Sequence, residues 1–121
     1  MQKSILVVED DRRMREFISL HLLGAGYAVR CVETGLQAAA SCLSAKPDLI
    51  ISDVHMPQMT GFEMIAVLKS EPGMKNIPVI FLTVDEAGRD VGKELGAVEY
   101  LTKPITAEAL LAAVSKSLPK N

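Results

Sequence analysis

Five short runs of apolar, mostly β-branched residues, separated by longer stretches with helical spacing, constrain this chain more than any other feature in it. That alternation is the pattern of repeated βα units, which set parallel strands side by side and cover them with helices. The runs read as strands are Ser4–Val8, Ala28–Val32, Leu49–Ser52, Val79–Leu82 and Tyr100–Thr102. Several are apolar at consecutive positions, as a sheet buried on both faces requires. The expected fold class is α/β, a doubly wound five-stranded parallel sheet.

Between the strands, Met14, Phe17, Ile18, Leu22 and Ala25 fall on one helical face, and Leu110, Leu111, Val114 and Leu118 do the same near the end. His21 borders the first stripe and reads as a packed boundary residue. Gly24 and Gly26 close the first helix, Lys46-Pro47 precedes the third strand, and Glu71-Pro72-Gly73 ends the third helix. Thr106 reads as the N-cap of the last helix, which stops at Pro119. No linker or repeat interrupts the pattern, so residues 1–121 are expected to form a single domain, and the 49% hydrophobic content suffices for one core.

The formal net charge of −2 provides no basic field for direct binding to nucleic acid or to a membrane surface. The opening MQKSILVVEDD meets acids after a stretch of five residues, SILVV, too short for a signal peptide or a span, so a cytoplasmic location is expected. Cys31 and Cys42 have neither a CxxC spacing nor nearby histidines and read as reduced packing residues.

Ligands of open α/β sheets bind at the carboxyl ends of the strands. There the first strand delivers Glu9-Asp10-Asp11, the third Asp53, the fourth Thr83, and the fifth Lys103 followed by Pro104. Carboxylates gathered in one crevice repel each other unless a cation offsets them. An all-oxygen set without histidine or thiolate favours Mg2+ or a similar hard ion such as Mn2+, which keeps an open position for a phosphate oxygen. A structural acidic cluster without metal is the other reading.

The segments ILVVEDD, SDVHMPQMTG, PVIFLT and YLTKP resemble the receiver domains of two-component response regulators, across nearly the whole chain. The resemblance implies a flavodoxin-like (βα)5 fold with strand order 2-1-3-4-5. It makes Asp53 the phosphoacceptor, Asp10 a direct metal ligand, Glu9 its partner through water, and the backbone carbonyl of His55 a further ligand. Thr83 is similar to the hydroxyl residue that bonds the phosphoryl group and Lys103 to the amine that pairs with it, while Lys103-Pro104 is expected to be cis. Tyr100 is similar to the aromatic residue that changes rotamer with Thr83, as opposed to a plain packed tyrosine. The family receives its phosphoryl group from a phosphohistidine of a sensor histidine kinase or histidine phosphotransfer protein, acts on a downstream effector protein or domain, and is monomeric or dimerises on phosphorylation. Such a domain is a self-phosphorylating switch and not a turnover enzyme.

Two features depart from the family pattern. Val84 stands where a small residue is usual and is expected to narrow access to the site. The stretch Val84–Leu95 is about two residues short and carries Gly88 and Gly92, each costing about 1 kcal/mol in a helix interior, so a short or mobile fourth helix is expected. His55 and Asp85 occupy positions that in the family influence phosphate lifetime. The competing readings are a phosphorylation-independent adaptor of the same fold, a flavodoxin-like carrier and a haloacid-type hydrolase. The Glu9-Asp10-Asp11 loop and the absence of tryptophan speak against the carrier, and the position of Asp53 after the third strand speaks against the hydrolase.

Overall fold

The apolar runs pair in parallel as one five-stranded sheet of order β2-β1-β3-β4-β5, the order the family resemblance implied. The structure is a computed structural model that describes residues 2–119, so both ends of the expected 1–121 span lie outside it. The strands are β1 (Ser4–Val8), β2 (Ala28–Val32), β3 (Leu49–Ser52), β4 (Val79–Thr83) and β5 (Glu99–Thr102). The last two strands in chain order differ from expectation by one residue each: Thr83 belongs to β4 and Glu99 to β5. The helices are α1 (Arg12–Gly24), α2 (Gly35–Ser44), α3 (Gly61–Ser70), α4 (Arg89–Glu94) and α5 (Ala107–Ser117).

Alternation along the strands sorts the core into two layers. Leu6, Val8, Ile50, Val79 and Phe81 face Ala38 and Cys42 of α2 and Met64, Ile65 and Leu68 of α3. Ile5, Val7, Leu49, Ile51, Ile80 and Leu82 face Ile18 and Leu22 of α1 and Leu110, Ala113 and Val114 of α5. All residues of β3 and β4 are buried, which explains why their sequences are apolar without alternation.

Met14, Phe17, Leu111 and Leu118 pack at the margin of the second layer, and His21 lies edge-on to Phe17 with ring centroids 4.7 Å apart. Two expectations need correction. Ala25 is exposed, because α1 ends one residue before it and Ala25 serves as C-cap. Cys31 is also exposed, on edge strand β2, and only Cys42 is a buried packing residue. Burial pushes the Cys42 thiol above its usual range.

Helix starts follow their caps. Thr34, Thr60 and Thr106 each accept a hydrogen bond from the third helical N–H, and Thr60 forms a reciprocal capping box with Glu63. Among the described residues no helix is long and apolar enough to cross a membrane.

Gly61 opens α3 directly against β3 and β4: a Cβ there would collide with the Asp53 carbonyl oxygen and lie 2.8 Å from a ring carbon of Phe81. Gly61→Ala is expected to lower stability by about 1–3 kcal/mol through overpacking. Gly24→Ala, with open space around it, is expected to be neutral or to stabilise by up to about 1 kcal/mol. Urea denaturation of the two variants checks the contrast, and equal effects would contradict it.

Candidate functional site

Each functional side chain at the carboxyl edge is positioned by a strand that has just ended. After β1 three consecutive acids diverge. Glu9 is 2% exposed and turned inward. Asp10 is exposed at the crevice. Asp11 leaves the group altogether and caps α1, accepting from the Met14 N–H at 2.9 Å.

Asp53 follows β3 and is held on both carboxylate oxygens. Its Oδ1 accepts from the backbone N–H groups of Val54 (2.6 Å) and His55 (3.3 Å). Its Oδ2 accepts from Lys103 Nζ at 2.8 Å. The same ammonium donates to Glu9 Oε1 at 2.7 Å, so one cation joins the ends of β1, β3 and β5. Burial alone would pull the Lys103 ammonium down, but the bonds and charges of Asp53 and Glu9 outweigh it and hold its pKa above the usual value. The Lys103-Pro104 peptide bond is cis.

Glu9, Asp10 and Asp53 each present an oxygen within 4.8 Å of the others. Burial, the largest cause, pushes the Glu9 carboxyl above its ordinary pKa, and the Asp53 charge adds to the effect, while Lys103 and the Asp11 N–H oppose it. The shift is thus mainly an effect of burial, with the neighbouring Asp53 charge a smaller contribution.

Thr83 is fully buried at the end of β4, where its hydroxyl accepts from the Asp85 N–H at 3.3 Å and its carbonyl from the Lys103 N–H at 2.8 Å. Val84, next in sequence, is 73% exposed, so it stands at the surface beside the crevice. His55 and Asp85 face each other, Nε2 to Oδ2 at 2.9 Å, linking the loops that follow β3 and β4. Their pairing was not evident from sequence, because they are 30 residues apart.

Tyr100 is 2% exposed, edge-on to Phe81, with its hydroxyl donating to the Asp85 carbonyl. The segment above it is short, as expected: a 3-10 turn at Glu86–Gly88 followed by the six residues of α4. Gly88 and Gly92 turn out to be contact surfaces as well as weak helix formers. A Cβ at Gly88 would lie 2.7 Å from the Tyr100 hydroxyl, and one at Gly92 2.8 Å from its ring. Arg89 completes the enclosure, donating to the Tyr100 carbonyl at 2.7 Å with its guanidinium carbon 5.3 Å from the ring centre.

One further residue escaped the sequence reading. Arg15 reaches back from α1 and donates to the carbonyl oxygens of Glu9 (2.9 Å) and Asp10 (3.2 Å). Its place one turn after the acids was the available signal, since helical side chains lean toward the N-terminus.

Known proteins resemble this chain in sequence and fold. Residues 5–115 match the family model described as the response regulator receiver domain. The chain is 37% identical over 118 residues to the transcriptional regulatory protein GltR of Pseudomonas aeruginosa, covering 96% of this chain and 49% of that protein. It is 33% identical over 123 residues to the DNA-binding response regulator MtrA of Mycobacterium tuberculosis, covering all of this chain and 53% of that one. It therefore spans about half the length of these curated relatives. Among solved structures, the chemotaxis response regulator CheY4 of Vibrio cholerae superposes with a TM-score of 0.92 at 35% identity, covering 98% of this chain and 100% of that one. The receiver domain of the sensor histidine kinase PA1611 from Pseudomonas aeruginosa, solved with a magnesium ion coordinated in its active-site cleft, does so with a TM-score of 0.89 at 26% identity, covering 97% and 98%. The family match, the sequence identity and the superposition agree, and the chain belongs to the receiver domain family of two-component response regulators, whose members are signalling modules of the phosphorelay.

Proposed function

We propose that this chain, in the cytoplasm, accepts a phosphoryl group on Asp53 from a phosphohistidine of a sensor histidine kinase or histidine phosphotransfer protein. The observation that carries the reading is the anchoring of Asp53, with two backbone amides on one oxygen and Lys103 on the other. A carboxylate so fixed can lie in line with a leaving group, and phosphoryl transfer asks a protein mainly for positioning and charge stabilisation. In the transfer a carboxylate oxygen of Asp53 bonds to phosphorus, the P–N bond to the donor imidazole breaks, and its electron pair returns to the imidazole nitrogen. Lys103 offsets the charge of the phosphoryl oxygens. Water later cleaves the acyl phosphate, so the domain acts on itself and does not turn over a substrate.

The donor set fits a hard divalent cation, Mg2+ or Mn2+. Three carboxylates against one ammonium leave a formal charge of about −2, which one such ion offsets. Asp10, Asp53 and the His55 carbonyl would hold it, with Glu9 completing the set, and it would supply compensation for the phosphoryl charge.

The backbone of Asp85 links the site to the surface. Its N–H donates to Thr83 and its carbonyl accepts from Tyr100. A phosphoryl group that claims the Thr83 hydroxyl would loosen the segment that Tyr100 and α4 grip, changing the face a downstream effector meets. The intact acid, hydroxyl and lysine set disfavours a phosphorylation-independent adaptor. GltR and MtrA are named as regulators of transcription and binders of DNA, but this segment, at net charge −2, is not the DNA contact.

Intact-mass spectrometry after incubation with phosphoramidate tests the reading. The wild type is expected to gain one phosphoryl group only with Mg2+, and Asp53→Ala to gain none; labelling of Asp53→Ala would reject the assignment. Lys103→Ala is expected to remain phosphorylatable yet fail to transmit the change, visible as loss of the phosphorylation-dependent shift in amide exchange around Asp85 and Tyr100.

Because the Glu9 carboxyl is raised above its ordinary value of 4.5, the folded, metal-free protein binds more protons there than the unfolded chain. The Glu9 contribution to stability is thus fully present below the ordinary carboxylate pKa and is lost as pH rises through the raised one. Glu9→Gln is expected to remove that loss, so the variant gains on the wild type between the carboxylate range and neutrality. Urea denaturation in EDTA over that range measures the difference, and parallel curves would contradict the shift.

A further inference from the structure

We infer that Arg15 is a positioning residue for the cation site: its guanidinium holds the carbonyls of Glu9 and Asp10 and thereby sets where their carboxylates point. This rests on reading those two acids as part of a divalent cation site.

The connection from β1 to α1 contains only residues 9–11, yet it must place one carboxylate inward, one at the crevice and one on the helix cap. The Glu9 carboxylate is held directly by Lys103 and by the Asp11 N–H, and that of Asp11 by the Met14 N–H. The backbone that carries these acids has two further anchors. On one side the Glu9 N–H donates to the Val32 carbonyl at the end of β2, at 3.0 Å. On the other, Nη1 of Arg15 donates to both loop carbonyls, at 2.9 and 3.2 Å, while also lying 3.6 Å from Glu33 just beyond β2. The first turn of α1 holds three arginines, and they are not equivalent. Arg12 is 82% exposed and pairs with Glu16 along the helix, and Arg13 is exposed, whereas Arg15 is 20% exposed and turned onto the loop.

The electrostatics make the role decidable. A guanidinium beside a cation site repels the incoming ion, so as a charge alone Arg15 would weaken binding. As a clamp it strengthens binding by holding the carboxylates in place before the ion arrives, as outer partners of metal ligands do. The two roles predict opposite signs.

Mg2+ affinity of the wild type, Arg15→Gln, Arg15→Lys and the exposed control Arg12→Gln is measured by isothermal titration calorimetry, with thermal melts in EDTA to confirm folding. Arg15→Gln is expected to bind Mg2+ about tenfold more weakly, at the lower end of such outer-partner effects. Arg15→Lys, which keeps the charge on a shorter side chain whose nitrogen does not reach the place of Nη1, is expected to be weakened in the same direction, and Arg12→Gln to match the wild type. Faster amide exchange at Asp10 and Asp11 in metal-free Arg15→Gln is the second expected readout, and phosphorylation at saturating Mg2+ is expected to recover. Should Arg15→Gln fail to fold, Arg15→Lys carries the comparison. Unchanged or tighter Mg2+ binding by the folded Arg15 variants overturns the inference alone. No Mg2+ binding by the wild type overturns the reading of the acids as well.

Discussion

One ammonium group holds the functional edge together. Lys103 bonds both Glu9 and Asp53 although it follows the edge strand β5, with β4 between that strand and β3: parallel strands end on one edge, and the long lysine side chain reaches across it. Removing one partner of a buried charge pair leaves the other uncompensated, at a cost of about 3–5 kcal/mol. The site is therefore an electrostatic unit: two buried acids tolerate each other through a shared lysine, and the charge still in excess is what makes a divalent ion welcome. Stability and signalling chemistry draw on the same few atoms.

Much of this was legible in the residues. The strands were readable because β3 and β4 are buried on both faces, so hydrophobicity ran unbroken through them. Glu9, Asp10, Asp53, Thr83 and Lys103 were readable because parallel strands must end on the same edge. What was not legible depended on contacts made across the fold. The His55–Asp85 pair and the grip of Arg15 on two carbonyls have no local signature, since each is decided by where two separate segments come to rest. The exposure of Cys31 was missed for a related reason: its sequence does not reveal that β2 is an edge strand, where Cys31 is exposed even though its sulfur lies 2.9 Å from the Ser19 hydroxyl of α1.

Gly88 and Gly92 show how one residue type can carry two meanings. By propensity they weaken a helix, and α4 is only six residues long. In the fold they remove the Cβ atoms that would collide with Tyr100, which lets the short helix settle onto its ring. The propensity cost and the close fit are the same substitution seen from two sides. A helix with so few internal bonds relies on what lies beneath it, so Tyr100 and Arg89 do more to hold this segment than its own backbone does.

The bond from Lys103 to Glu9 spans 94 positions of sequence, and the one to Asp53 spans 50. During synthesis the ribosome releases both acids well before the lysine that reconciles them. A nascent chain that has completed three strands holds Glu9 and Asp53 without the ammonium that joins them. The contact that ties the ends of β1, β3 and β5 together thus forms only when the fifth strand docks, so it doubles as a certificate that the sheet is complete.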